Sequence, residues 1–417
     1  MRLPKAFARR ARKVFFFLHL WTGVVFGLWL VTMGLTGVAL AWRSELMGLE
    51  AQRLVGQPTP AAGARIISPS QAAAALKAAH PDLQPEFSMF IPPREYGTYL
   101  HFGRGGGEGQ ALFIVDPVTA KVYPPIDRSQ LWIDWAERLH ADLLLEAKGA
   151  VANAVFNGFA FVMLVSGILL WWPSTLKALR LRLTVRRRVS LKRTVSDLHN
   201  VAGIYLAGVL VLLAVTAFGL FLNRQTENGI GRTVDGWYGM KTEPRARRGR
   251  PGGARRRPTP PAETAIPGNL DLDTLAARAQ AAVPNAVLTH VAMPRRAGDP
   301  FGGSFLPIGF DNGLVQFDAR TGAILPVQRS FSPGTNATRL IGDLHYGWFG
   351  GYWSKWLYTF AGLMPVALFV TGLWMWFLRK RSERRAASRK RARGADPIET
   401  EARAPKPVSI LASSDSA

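Results

Sequence analysis

Val14-Phe-Phe-Phe-Leu-His-Leu-Trp-Thr-Gly-Val-Val-Phe-Gly-Leu-Trp-Leu-Val-Thr-Met-Gly-Leu-Thr-Gly-Val-Ala-Leu-Ala-Trp42 is the stretch on which the fold turns. It holds no charged residue and is too long for the apolar core of a signal peptide. It reads as a retained helix that crosses a bilayer, because about 20 apolar residues span ~30 Å of hydrocarbon. Three similar runs follow, at 151–172, 197–222 and 356–378. The first span covers 14–42. The expected class is therefore a mainly α membrane protein with four transmembrane helices.

Composition agrees. Almost half of the 417 residues are apolar, yet the net charge is +24. A membrane protein reconciles the two by holding its positive charge on one side. Arg2 to Lys13 contains six Lys or Arg, Lys177 to Arg193 eight, and Arg379 to Arg393 nine. Short basic segments stay in the cytoplasm. So 1–13, 173–196 and 379–417 are expected inside, the last with a disordered end, and 43–150 and 223–355 outside. The basic run Arg245 to Arg257 lies in the second external segment, but long exported segments cross largely regardless of charge. Bacterial inner-membrane residence follows, with both termini cytoplasmic and the lipid bilayer as a partner.

The chain repeats itself. Leu139-His140 matches Leu344-His345 at an offset of 205, which also carries Gly167 onto Gly372 and Trp171 onto Trp376. An offset of 180 carries His19 onto His199, Gly23 onto Gly203 and Thr36 onto Thr216. Asp116-Pro-Val-Thr-Ala matches Asp318-Ala-Arg-Thr-Gly at an offset of 202. The offset grows because the second external segment holds an extra Arg/Pro/Gly-rich stretch, 243–267, of linker composition. Both copies begin and end inside, so they are parallel repeats whose axis runs along the membrane normal. Each external segment reads as an α+β module. The first has a helix capped by Ser68-Pro69, strands at 98–102 and 111–115, and the Asp116 turn. The second has a helix near 271–283 and strands near 287–293 and 304–310, then Leu314-Val-Gln-Phe-Asp-Ala-Arg-Thr-Gly-Ala-Ile-Leu.

Several functions lack their residues. There is no cysteine, which excludes disulfides, thiolate chemistry, iron–sulfur clusters and covalent c-type haem. His-Glu-x-x-His, Gly-x-Ser-x-Gly, Walker and Gly-x-Gly-x-x-Gly patterns are missing. That argues against a protease, an esterase, an ATP-driven pump and a bound nicotinamide. No nucleic-acid partner is expected.

Four motif sets resemble the PepSY-associated transmembrane helix family. They are His19-Leu-Trp-Thr-Gly with Gly34-Leu-Thr-Gly and Trp42-Arg-Ser-Glu-Leu; Leu139-His140-Ala-Asp-Leu with Ser166-Gly-Ile-Leu-Leu-Trp-Trp-Pro; Asp197-Leu-His199-Asn-Val-Ala-Gly; and Leu344-His345-Tyr-Gly-Trp-Phe-Gly-Gly with Thr371-Gly-Leu-Trp-Met-Trp. The resemblance covers about 10–380 and implies that the external segments are PepSY-like modules. It also implies iron-regulated inner-membrane proteins, some of them haem-containing reductases that free iron from siderophores.

His19, His199, His140 and His345 flank the spans at repeat-equivalent places. Ionisable residues at membrane depth mark functional sites, and neutral imidazole is an axial haem ligand. Two b-type haems are expected, His19 pairing with His199 on the cytoplasmic side and His140 with His345 on the periplasmic side. His140 and His345 come about a dozen residues before their spans, so each needs a short interfacial helix that turns near Gly149 or near Gly350-Gly351. Aromatics and glycines crowd the spans, which suits a flat macrocycle, though interfacial belts and close helix packing use the same residues. His80, His101 and His290 read as structural.

Two functions fit. One is a di-haem electron carrier that reduces a ferric siderophore or other chelate on the outer side, fed by a quinol or a cytoplasmic reductase. The other is a non-enzymatic membrane protein whose PepSY-like modules bind or restrain a periplasmic partner such as a protease.

Overall fold

In the computed structural model, residues 5–395 are described apart from internal stretches, of which 241–269 is the longest. The Arg245–Arg257 run and the chain beyond 395 lie outside the described residues. In chain order the helices and strands are α1 (Lys5–Ala41), α2 (Arg43–Val55), α3 (Pro69–Ala79), β1 (Ser88–Phe90), β2 (Tyr99–Gly103), β3 (Ala111–Val115), β4 (Ile126–Asp127), α4 (Trp132–Asp142) and α5 (Glu146–Trp171). Then come α6 (Leu176–Arg182), α7 (Leu191–Gln225), α8 (Gly229–Trp237), α9 (Leu272–Ala282), β5 (Val287–Ala292), β6 (Phe301–Leu306), β7 (Val315–Phe317), α10 (Pro333–Tyr346) and α11 (Gly351–Ala395).

Among the described residues α1, α5, α7 and α11 are long and apolar enough to cross a membrane. They form a ring in which α1 and α7 each pack against both α5 and α11, so α1 and α7 stand on opposite corners. Gly34 of α1 and Gly362 of α11 let two backbones meet. A Cβ on Gly362 would stand 2.7 Å from the Gly34 carbonyl oxygen. Between helices in lipid, small residues are what permits such an approach. Aromatics fill the α1–α5 contact, where Phe26 stacks on Phe159 at 4.4 Å.

The strands between α1 and α5 and those between α7 and α11 form one sheet, in the order β4-β3-β2-β1-β5-β6-β7. The join is the antiparallel pair β1–β5, with Met89 opposite Val291. Alternation along the strands gives the sheet two apolar faces. Met89, Tyr99, Phe113, Val291, Phe301 and Phe317 pack under α3 and α9 through Leu76 and Leu275. Leu100, Leu112 and Ile114 face the other way, onto Met47 and Ala51 of α2 and onto Leu131 and Ile133 at the start of α4. A bulge at Leu288–His290 lets Leu288 and Val291, three apart, both reach the first face. The sheet thus rests on the bundle end where α1 and α7 finish and α5 and α11 begin.

Local chemistry accounts for the element ends. Ser68 and Gln71 form a capping box before Pro69. The carboxylates of Asp116 and Asp318 accept from backbone N–H groups two and three residues on, closing two similar turns. The position after the turn threonine has positive φ in both, taken by Ala120 in one and Gly322 in the other.

The turn into α5 differs from the expected one. It falls at Leu143 and Leu144, which have φ of 54° and 62°, and α5 starts at Glu146. Gly149 lies inside α5, and a Cβ there would overlap the Asp142 carbonyl. Its role is to let the end of α4 rest on the first turn of α5. The second turn does fall on glycine, with Gly347 and Gly351 at positive φ.

Candidate haem-ligand site

The first pair of histidines stands where α1 and α7 face each other, near the bundle end that carries α6. The ring centres of His19 and His199 are 6.3 Å apart with planes at 84°. Two cradles hold them. Gly167 of α5 leaves room for His19, since a Cβ there would be 2.8 Å from its Cε1. Gly372 of α11 sits beside His199 Cε1 in the same way, at 3.4 Å. His19 Nδ1 donates to the Met163 carbonyl at 2.9 Å, and His199 Nδ1 meets Thr371 Oγ1 at 2.9 Å.

The second pair lies at the sheet end. His140 on α4 and His345 on α10 are also 6.3 Å apart, with planes at 53°. His140 Nδ1 meets Thr36 Oγ1 at 2.8 Å, and His345 Nδ1 meets Thr216 Oγ1 at 3.0 Å. Gly37 makes room for His140, its Cβ position being 3.4 Å from Cε1. Burial pushes both imidazoles down to about 4, so they are neutral at pH 7. A metal ligand must be neutral imidazole.

Short helices bring these two rings back to the bundle, and each is clamped at both ends. Glu50 of α2 accepts from Trp132 N at 2.6 Å at the start of α4. Asp235 of α8 accepts from Gly334 N at 2.7 Å at the start of α10. Carboxylates at helix N-termini satisfy orphan donors and meet the positive end of the helix dipole. At the other ends, Asn153 Nδ2 donates to the His140 carbonyl at 2.8 Å, and the Tyr358 hydroxyl donates to the carbonyl of Leu344. Trp29 Nε1 fixes Asn153 from α1 at 2.8 Å. Arg43 and Arg128 both pair with the buried Asp134 of α4, each at 2.8 Å, and Lys355 pairs with Glu45.

The four predicted histidines therefore meet as two pairs at opposite ends of the bundle. Thr36 lies seventeen residues after His19, and Thr216 seventeen after His199, which is about 25 Å of helix. The other three histidines stay apart from both pairs. His80 ends α3 and packs edge-on to Phe113, while His101 and His290 are buried in strands. Met163 and Asn153 carry no signal in the sequence reading, and Thr371 stands there only as the first residue of a motif. Thr36 and Thr216 stand there as a repeat match, and Thr36 also within the Gly34-Leu-Thr-Gly motif. The signal was present, because the four seats read Thr36-Gly37, Ser166-Gly167, Thr216-Ala217 and Thr371-Gly372.

The donor set has a chemical meaning. Among the described residues no three His, Asp or Glu side chains converge as a metal site. Among the described residues each pair offers two imidazoles and no third histidine or carboxylate. With metal–imidazole bonds of about 2.0–2.1 Å on opposite sides of one ion, ring centres fall about 6.3–6.5 Å apart. Both pairs stand at that separation.

At the same bundle end lies a cavity of 190 Å³, lined among others by Arg12, Trp171, Arg182, Arg193, Asp197 and Asn200. Arg12 and Arg182 donate to the Leu170 and Trp171 carbonyls at the end of α5, a favourable place for cations. The buried Asp197 carboxylate pairs with Arg193 at 3.0 Å and Arg186 at 3.5 Å.

No curated protein matches the chain. Residues 16–379 match the family described as the PepSY-associated TM region. That match takes in all four membrane helices, the sheet and all four paired histidines, and the chain is a membrane protein that belongs to the PepSY-associated TM region family.

Proposed function

We propose that this protein is a two-haem transmembrane electron carrier that reduces a ferric siderophore or a similar ferric chelate outside the inner membrane. The observation that carries the reading is the two histidine pairs, each 6.3 Å between ring centres and each pinned to neighbouring helices. A metal held by only two imidazoles needs its other positions filled by a second ligand set. The four nitrogens of a porphyrin supply it, and bound b-type haem would carry single electrons.

The chain's own residues do the rest. His19 and His199 hold one haem, His140 and His345 the other, and the helices fix their separation. The basic cavity at the His199 end of the bundle is where a quinol or a cytoplasmic reductase would deliver electrons. The seven-stranded sheet, read as two PepSY-like modules of two parallel repeats, presents the outer surface to the chelate. Reduction releases the metal because hard oxygen chelators hold Fe(II) more weakly than Fe(III).

The test is an optical spectrum of the purified protein. Soret and α bands that sharpen on reduction, at two haems per chain, are expected. A featureless visible region would remove the electron-carrier reading and leave the sheet as a non-enzymatic binding module for a periplasmic partner such as a protease.

The reading also needs one orientation. The six, eight and nine basic residues of the short segments support an orientation with both termini in the cytoplasm. Reporter fusions near residues 100, 185 and 300 should read outside, inside, outside. The reverse order would place the basic cavity on the wrong face and overturn the scheme.

A further inference from the structure

Each of the four paired rings is held through Nδ1 by a neighbouring helix, in three by a threonine hydroxyl and in the fourth by a carbonyl one turn from a serine. His140 reaches Thr36, His345 reaches Thr216, and His199 reaches Thr371. His19 reaches the Met163 carbonyl, which also accepts from Ser166 Oγ at 2.9 Å.

The threonine protons decide the direction of these bonds. Thr36 Oγ1 lies 2.7 Å from the Thr32 carbonyl, Thr216 Oγ1 2.8 Å from Leu212, and Thr371 Oγ1 2.6 Å from Ala367. A carbonyl can only accept, and a hydroxyl has one proton to give. With that proton committed, each threonine oxygen is left as an acceptor, so the imidazole must donate from Nδ1. The Met163 carbonyl imposes the same on His19. A neutral imidazole with its proton on Nδ1 has its lone pair on Nε2. The other tautomer would put two acceptors face to face at a buried site, and a ring flipped about its axis would put a C–H against the threonine oxygen.

We propose that Thr36, Thr216 and Thr371 are positioning residues that lock His140, His345 and His199 in the Nδ1–H tautomer and so present Nε2 as the free ligand nitrogen. His19 has no such hydroxyl and relies on a backbone carbonyl that no side-chain substitution removes. The proposal builds on the haem reading of these pairs, yet concerns a property the imidazoles have before any haem arrives. Hydrogen bonding at the outer nitrogen also raises ligand basicity. A more basic ligand favours the ferric state, so each threonine holds the potential of its haem down.

The experiment uses Thr36→Val, Thr216→Val and Thr371→Val, which keep shape and remove the acceptor, with Thr→Ser at each site as the rescue. Nitrogen-15 spectra of histidine-labelled, haem-free full-length protein report the tautomers. The wild type should show four imidazoles with Nδ1 protonated, and each valine variant should shift one of them to a mixture. In haem-loaded protein, each valine variant should bind one of its two haems about 10-fold or more weakly. The potential of that haem should rise, and serine should restore both. Unchanged tautomers, affinity and potential in all three valine variants would overturn the proposal. If the wild type binds no haem, the haem reading falls. The tautomer spectra then decide the positioning claim alone, supporting it if valine shifts them and overturning it if they stay. A valine variant that fails to fold is replaced by alanine, for which the same outcomes apply.

Discussion

On the two-haem reading proposed above, replacing His140 by alanine should remove one haem, about half of the Soret absorbance, and replacing His345 should remove the same one. His19→Ala and His199→Ala should each remove the other. The reason is geometric. The rings of each pair are 6.3 Å apart, while the pairs sit at opposite ends of α1 and α7, separated by about 25 Å of helix. No histidine can serve both sites. Each double variant within a pair should look like its single variants, and His19→Ala with His140→Ala should empty both sites. Haem content and the potentials of what remains are the measurements. If His19→Ala and His140→Ala instead deplete one shared haem, the pairing is wrong. The bundle itself should tolerate the change, because alanine leaves the clamps at the ends of α4 and α10 in place, so the variants should still be recovered folded.

The second large effect is expected at Gly362. α1 and α11 touch through backbone there. A Cβ on Gly362 would lie 2.7 Å from the Gly34 oxygen and 2.7 Å from Val38 Cγ2. Neither neighbour can swing away, since one is main chain and the other a β-branched residue fixed in a helix. Gly362→Leu must push the helices apart. Overpacking alone costs about 1–3 kcal/mol, and more where backbone must move. Against a total stability of about 5–15 kcal/mol, that is enough to lower folded yield sharply. Both histidine sites should suffer together. α1 carries His19 and Thr36, while α11 carries Thr371 and Gly372, the seat of His199. Gly158→Ala is the control, because nothing stands within 4 Å of a Cβ at that position. Thermal unfolding in detergent, followed by helical signal, separates the two. Equal midpoints for Gly362→Leu and Gly158→Ala would show that the α1–α11 contact does not support the bundle.

Much of this protein is local and therefore legible in its sequence. A charge-free run long enough to cross hydrocarbon can be little else, because each unpaired backbone group in lipid is costly and only a helix satisfies them all. That settled the four membrane helices. Ser68-Pro69 marked α3 by its cap, and the alternation at 111–115 marked β3. The histidines were legible as candidates because ionisable side chains are rare at such positions, and their offsets matched those of the helices that carry them. These are properties of short windows, or of windows compared with each other.

Tertiary structure decided what depends on contacts between distant residues. Two strand sets that look like two modules join into one sheet because β1 finds β5, and the register of Met89 with Val291 is written in no single segment. The turn before α5 was misplaced for a related reason. Gly149 looks like a hinge by composition, yet its missing Cβ serves the packed Asp142 carbonyl, and the bend falls on Leu143 and Leu144 instead. The acceptors of the four imidazoles were likewise hidden. A membrane threonine ordinarily bonds back to its own helix, as Thr36, Thr216 and Thr371 all do. Only the packing of α1 against α4, α7 against α10 and α11 against α7 turns the remaining lone pair of each toward a histidine. A sequence fixes which groups a helix offers, but which of them face a partner depends on how the helices are rotated and paired, and that is set by packing across the whole bundle.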